Sequence, residues 1–223
     1  MLSQAQLQKN LEISNACVRK MDQAVAALNA VIETAEKDKS RSRDWVLSTV
    51  KAAREKALPA ITAELKTIMT MADTSSAHQR FWENRPLLLS LQKFDEDDAK
   101  DAQIRIYHAA ELASSSLPLL GLMLENARSD KNLALIYQCW RVGQGRSSEA
   151  GFVDSVDLAL DGIEIPGQAI SLSAIATCIS NRSYAEMIWS AAGSGRSADP
   201  VRRLTVARQQ EVSSRIVSPA SAL

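Results

Sequence analysis

Two histidines among 223 residues leave little for proton transfer, and only one has a carboxylate at helical spacing. His108 and Glu111 stand three apart, with Asp101 two turns upstream, so a helix there would carry them on one face. Di-iron bundle centres use two Glu-x-x-His pairs and two further carboxylates. This chain offers one copy in inverted order, and His78 has only Glu83 and Asn84 further along. The expectation is histidines that line or solvate helices, with no metal held. The acidic run Asp95–Asp101 has the oxygen atoms calcium needs, but it lacks the glycine and terminal glutamate of an EF-hand loop. It reads as a charged helix start opposing the helix dipole. Gly143-Gln144-Gly145-Arg146 and Gly193-Ser194-Gly195-Arg196 could cradle a phosphate, yet neither follows an apolar strand nor completes a nucleotide-binding fingerprint. They read as linkers. Cys17, Cys139 and Cys178 have no histidine near them in sequence and read as small buried hydrophobes. The serines Ser114–Ser116 lack the strand–turn–helix context of a nucleophile elbow. No catalytic residues, no metal and no cofactor are expected, and the chain reads as a non-enzyme.

Contact chemistry is more prominent. From Ser194 onward Arg196, Arg202, Arg203, Arg208 and Arg215 face only Asp199 and Glu211, five positives against two negatives, a net of +3. Their planar guanidinium forks suit a partner's carboxylates or a phosphate backbone. Leu7, Leu11, Val18, Met21, Val25, Leu28 and Ile32, with Ser14 and Ala35, alternate spacings of four and three. That is a heptad seam with β-branched residues mostly at a and Leu or Met at d, suited to a two-stranded contact. The inner face of a bundle helix has nearly the same period. The seam is the expected self-association surface, packed within the chain or between chains. Trp45, beside a polar link at the start of the next helix, is the candidate interface anchor, since exposed tryptophans often dominate binding. Trp140 and Trp189, among apolar neighbours, read as core.

These residues must be positioned by helices. Glycine is absent before Gly121, and seven of the eight glycines fall from Gly143 onward. Ala, Leu, Glu, Lys and Gln are abundant in the first two thirds and lose little entropy in helix. The polar segment Lys37–Arg43 breaks the seam, and Ser40 or Ser42 could cap a second helix with Asp44 at its start. Val46, Val50, Ala53, Ala57, Ile61, Leu65, Ile68 and Ala72 form its stripe, with a kink or break expected near Leu58 from Pro59. Two long amphipathic segments joined by a short link fold back antiparallel.

The expected architecture is all-α, a long N-terminal antiparallel helical hairpin packed on a bundle of shorter helices. The segments are residues 1–75, the coiled-coil-like hairpin; 76–142, a central helical bundle; 143–193, shorter helices with glycine-containing loops; and 194–223, a flexible link, a basic helix over Val201–Val217 and a tail. Pro118 predicts a bend. Ile163–Ile165 predicts a short extended piece, and Ala169–Ser180 and Tyr184–Ala192 two buried helices.

With 26 basic and 26 acidic residues, net zero charge and 46% hydrophobic residues, the composition is that of an ordinary globular chain. No stretch approaches the roughly 20 apolar residues of a membrane span. The expected function is that of a structural, assembly or scaffold protein acting as a homo-oligomer or on a protein partner. Nucleic-acid association through the arginines is the alternative, with membrane action and catalysis behind it. The polar start and unpaired cysteines point to the cytoplasm or another intracellular setting, with a virus or phage particle compatible.

Overall fold

A computed structural model describes residues 2–112, 117–143 and 152–193. The helices are α1 (Gln4–Lys37), α2 (Arg43–Ser76), α3 (Gln79–Glu83), α4 (Arg85–Leu89), α5 (Glu96–Leu112), α6 (Leu117–Ser129), α7 (Leu133–Gly143), α8 (Phe152–Ala159) and α9 (Gln168–Gly193). Among the described residues there is no strand: Ile163–Ile165 is irregular chain between turns at 160–162 and 166–167, and the short extended piece expected there pairs with nothing as a strand. The chain is all-α, with a long hairpin of α1 and α2 that packs on α9.

The hairpin forms where local chemistry directs it. Ser3 opens α1 with a capping box: its hydroxyl accepts from the Gln6 N–H at 3.3 Å, and the Gln6 side-chain oxygen accepts from the Ser3 N–H at 2.8 Å. Ser42 opens α2 by accepting from the Trp45 N–H at 3.2 Å, with Asp44 in the first turn. α2 runs unbroken through Pro59, where the sequence predicts a kink or break. Pro59 is exposed, so water reaches the carbonyl whose helical donor the ring removes.

Two compact units divide the chain, residues 1–77 with 173–223 and residues 78–172. The expected segment 143–193 is therefore shared between them, because the second part of α9 joins the hairpin. In the hairpin unit α1 and α2 run antiparallel, as the Asn10–Ser75 hydrogen bond at 3.2 Å and the Lys20–Glu64 ion pair at 3.4 Å mark. α9 runs parallel to α1 and antiparallel to α2. Asn181 donates to Ser14 at 3.0 Å and Asn15 at 2.8 Å, Tyr184 to Asp22 at 2.7 Å, and Trp189 to Thr62 at 3.0 Å. The core between them holds Val18, Met21, Val25, Leu28, Ile32, Ile61, Leu65, Ile68, Ala185, Ile188 and Ala192.

In the second unit, Leu88, Leu89, Ile106, Leu124, Ile136, Cys139, Val156 and Leu160 are buried. The Arg85 guanidinium donates to the carbonyls of Leu160 and Ile163, closing the end of α8. α5 starts at the acidic run as expected, with Glu96, Asp97 and Asp98 in its first turn and Asp95 accepting from the Asp97 N–H at 3.0 Å. Pro118 lies in the first turn of α6 rather than at a bend, the position where its missing N–H costs nothing.

Candidate interaction site at the hairpin tip

The link between α1 and α2 is a tight, self-capped turn. Asp38 accepts from both the N–H and the hydroxyl of Ser40. Those two bonds, with Arg41 3.5 Å away, hold its carboxyl below the usual carboxylate range. The Arg41 guanidinium also lies over the Trp45 ring, 5.0 Å from its centroid. One turn of chain thus fixes a carboxylate, a cation and an indole in order.

Beside this turn Ala30, Val31, Thr34 and Ala35 of α1 and Trp45 and Thr49 of α2 line an open groove of about 300 Å³. No charged side chain lines it, and the Thr34 hydroxyl is bonded to the Ala30 carbonyl at 2.7 Å. Val31 is 42% exposed and Trp45 38%. The groove exists because helix coverage changes along the hairpin. Ile61, Leu65, Ile68 and Ala72 of α2 are buried, whereas Val46, Val50, Ala53 and Ala57 nearer the tip are only half-buried. α9 supplies its hydrogen bonds to Ser14, Asn15, Asp22 and Thr62, toward the open end.

Of the two ways the seam could pack, within the chain or between chains, the single chain supplies the first. Leu7, Val18, Met21, Val25, Leu28 and Ile32 are each at most 4% exposed in the single chain, and Leu11 is half-buried. From Val18 to Ile32 the seam packs against α2 and α9, so its apolar edge is closed within the chain. The spacing requires a rod along α1, and the structure supplies two. Trp45 stands in the groove, exposed on its outer wall. Trp189, read as core, is 43% exposed, with its indole N–H donating to Thr62, and Trp140 is half-buried against Tyr137 at 6.0 Å. Trp82, which carries no expectation of its own, is the buried one. Arg196, Arg202, Arg203, Arg208 and Arg215 lie outside the described residues. So do the glycine-containing residues 144–151 and the side chains of His108 and Glu111.

The three thiols are buried. Burial pushes Cys139 up to about 12, and burial with the Glu64 carboxylate pushes Cys17 up to about 11. Burial also raises Cys178, against hydrogen bonds from Ser75 and Ser14 that lower it. Each thiol is therefore held in its protonated, poorly nucleophilic form at neutral pH. Among the described residues no three His, Cys, Asp or Glu side chains gather as a metal site, and no helix is long and apolar enough to cross a membrane.

One feature of the hairpin unit has no sequence signal: a buried polar layer of Ser14, Ser75 and Asn181, joined by the half-buried Asn10 and Asn15. Its members are separated by up to 167 positions, and only the fold brings them together. Compared with protein-family models, with curated proteins and with solved structures, the chain matches none.

Proposed function

We propose that this is a non-enzymatic helical assembly or scaffold protein, acting through self-association and protein–protein contact at the hairpin tip. The observation that carries this reading is the uncharged groove with Trp45 on its wall, on a turn already stiffened by Asp38, Ser40 and Arg41. Burying a pre-positioned indole releases water from a large apolar area at little cost in side-chain entropy. The seam is enclosed by α2 and α9, so association by this reading uses the tip and leaves the three-helix core intact.

Sedimentation velocity across micromolar concentrations tests it. The full chain is expected to form a concentration-dependent species larger than one chain. Trp45→Ala is expected to weaken that association by about 2 kcal/mol, close to thirtyfold. Leu47, 59% exposed but two positions along and outside the groove, is the control, and Leu47→Ala leaves association unchanged. A strict monomer that also captures no protein partner through Trp45 overturns the proposal.

A further inference from the structure

The second unit carries a row of aromatic rings at its surface. Tyr137 and Trp140, one turn apart on α7, have ring centroids 6.0 Å apart, and Phe94, just ahead of α5, lies 5.5 Å from Tyr137. Neighbouring rings are tilted by only 33° and 38°, so they form a ladder with Tyr137 as its middle rung. All three residues are half-buried, and each keeps part of its surface in water. A core Tyr or Trp normally bonds its polar atom. Here neither the Tyr137 hydroxyl nor the Trp140 indole N–H has a hydrogen-bond partner among the described residues. Charge differs between the two ends. From Lys93 to Asp101 five acids face two lysines, a net of −3. Glu96 pairs with Lys100 at 3.9 Å and Asp101 with Arg105 at 2.8 Å, whereas the exposed Asp97 and Asp98 have no ion pair among the described residues. Beside Trp140 the exposed charge is Arg141.

We propose that this ladder binds a proline-rich segment of a partner protein in the polyproline II conformation, with the segment's basic residues toward Phe94 and the acid run. Spacing fits first. That helix rises about 3.1 Å per residue, so alternate residues stand about 6 Å apart, close to the separation of the rings. Hydrogen bonding fits next. A polyproline II backbone has no internal hydrogen bonds, and proline has no N–H, so its carbonyls accept from the Tyr137 hydroxyl and the Trp140 N–H without competition. Aromatic-lined grooves take such segments for these reasons, and their pre-set backbone loses little entropy on docking. Charge then selects the sign and direction of the ligand. Asp97 and Asp98 attract lysine or arginine at the Phe94 end, and Arg141 opposes a basic residue at the Trp140 end. The acid run also repels a phosphate backbone, whereas ring platforms for single-stranded nucleic acid sit in positive grooves.

The ladder shares no residue with the tip groove, so either reading can fail without the other. The test is fluorescence anisotropy of a labelled peptide, two arginines followed by six prolines, titrated with the full chain at low salt. Binding is expected, and Trp140→Leu, which keeps an apolar side chain but loses the ring and its N–H, is expected to weaken it about tenfold. Asp97→Asn/Asp98→Asn changes only exposed positions and is expected to weaken it about threefold at low salt and hardly at all near ~1 M salt. Two control peptides separate charge from conformation: two glutamates ahead of the same prolines, and two arginines ahead of three Gly-Ser repeats. Each is expected to bind about tenfold more weakly than the first. No binding of the arginine–proline peptide, equal affinity for either control, or binding that neither variant changes would overturn the proposal. So would an oligothymidylate that displaces the peptide and binds these rings more tightly.

Discussion

Asn181 on α9 is 3% exposed and donates to both Ser14 and Asn15 of α1. A polar side chain there costs stability unless it is bonded, and removing one partner strands the others. Asn181→Ala is expected to lower unfolding free energy by about 1–3 kcal/mol, read from urea denaturation. The thiols give a pH dependence. Cys17 and Cys139 bind their protons more tightly folded than unfolded, so their contribution is complete below the ordinary thiol range and is lost as pH rises toward about 11 and about 12. The urea midpoint is expected to fall between pH 9 and pH 11 by more in the native chain than in Cys139→Ala. Little of this was legible in sequence. Ser14 was visible as a small polar residue in a seam, but its partner lies 167 residues away and no local pattern announces it.

At the scale of elements, the closed seam has a sharp consequence. Leu28→Ala removes a side chain packed among α1, α2 and α9 of one chain and is expected to cost about 2–5 kcal/mol. Because the contact is intrachain, that loss should be the same at every protein concentration in thermal unfolding. At the end of α6 the chain turns through Lys131 at φ 53°, while the Asn132 N–H bonds the Ala127 carbonyl at 2.8 Å. A left-handed non-glycine residue there is strained, so Lys131→Gly is expected to gain about 1 kcal/mol by the same measurement. Both long helices were legible because caps and periodicity agree: Ser42 with Asp44 marks the start of α2, and the seam marks the inner face of α1. Pro59 misled, since proline chemistry does not say whether the freed carbonyl meets solvent. α9 misled more. Its apolar and small residues extend around the whole helix, so periodicity could not show that two expected helices are one continuous rod.

Across the whole molecule, the chain divides into residues 1–77 with 173–223 and residues 78–172. The sequence could not show that residues 173–193 return to the hairpin, because that association depends on contacts made across more than 100 positions. The tip groove was legible only through Trp45. Its remaining walls are alanines, threonines and a valine that any helix could carry, and their exposure depends on how far helix coverage extends along the hairpin. On the proposed function the hairpin divides its labour: the seam holds the chain together, and the tip meets other molecules. Hydrogen-exchange mass spectrometry at low and high micromolar concentration measures this directly. Peptides covering residues 30–50 are expected to gain protection as concentration rises, while those covering residues 11–28 stay unchanged. Concentration-dependent protection along residues 11–28 with none at the tip would contradict it.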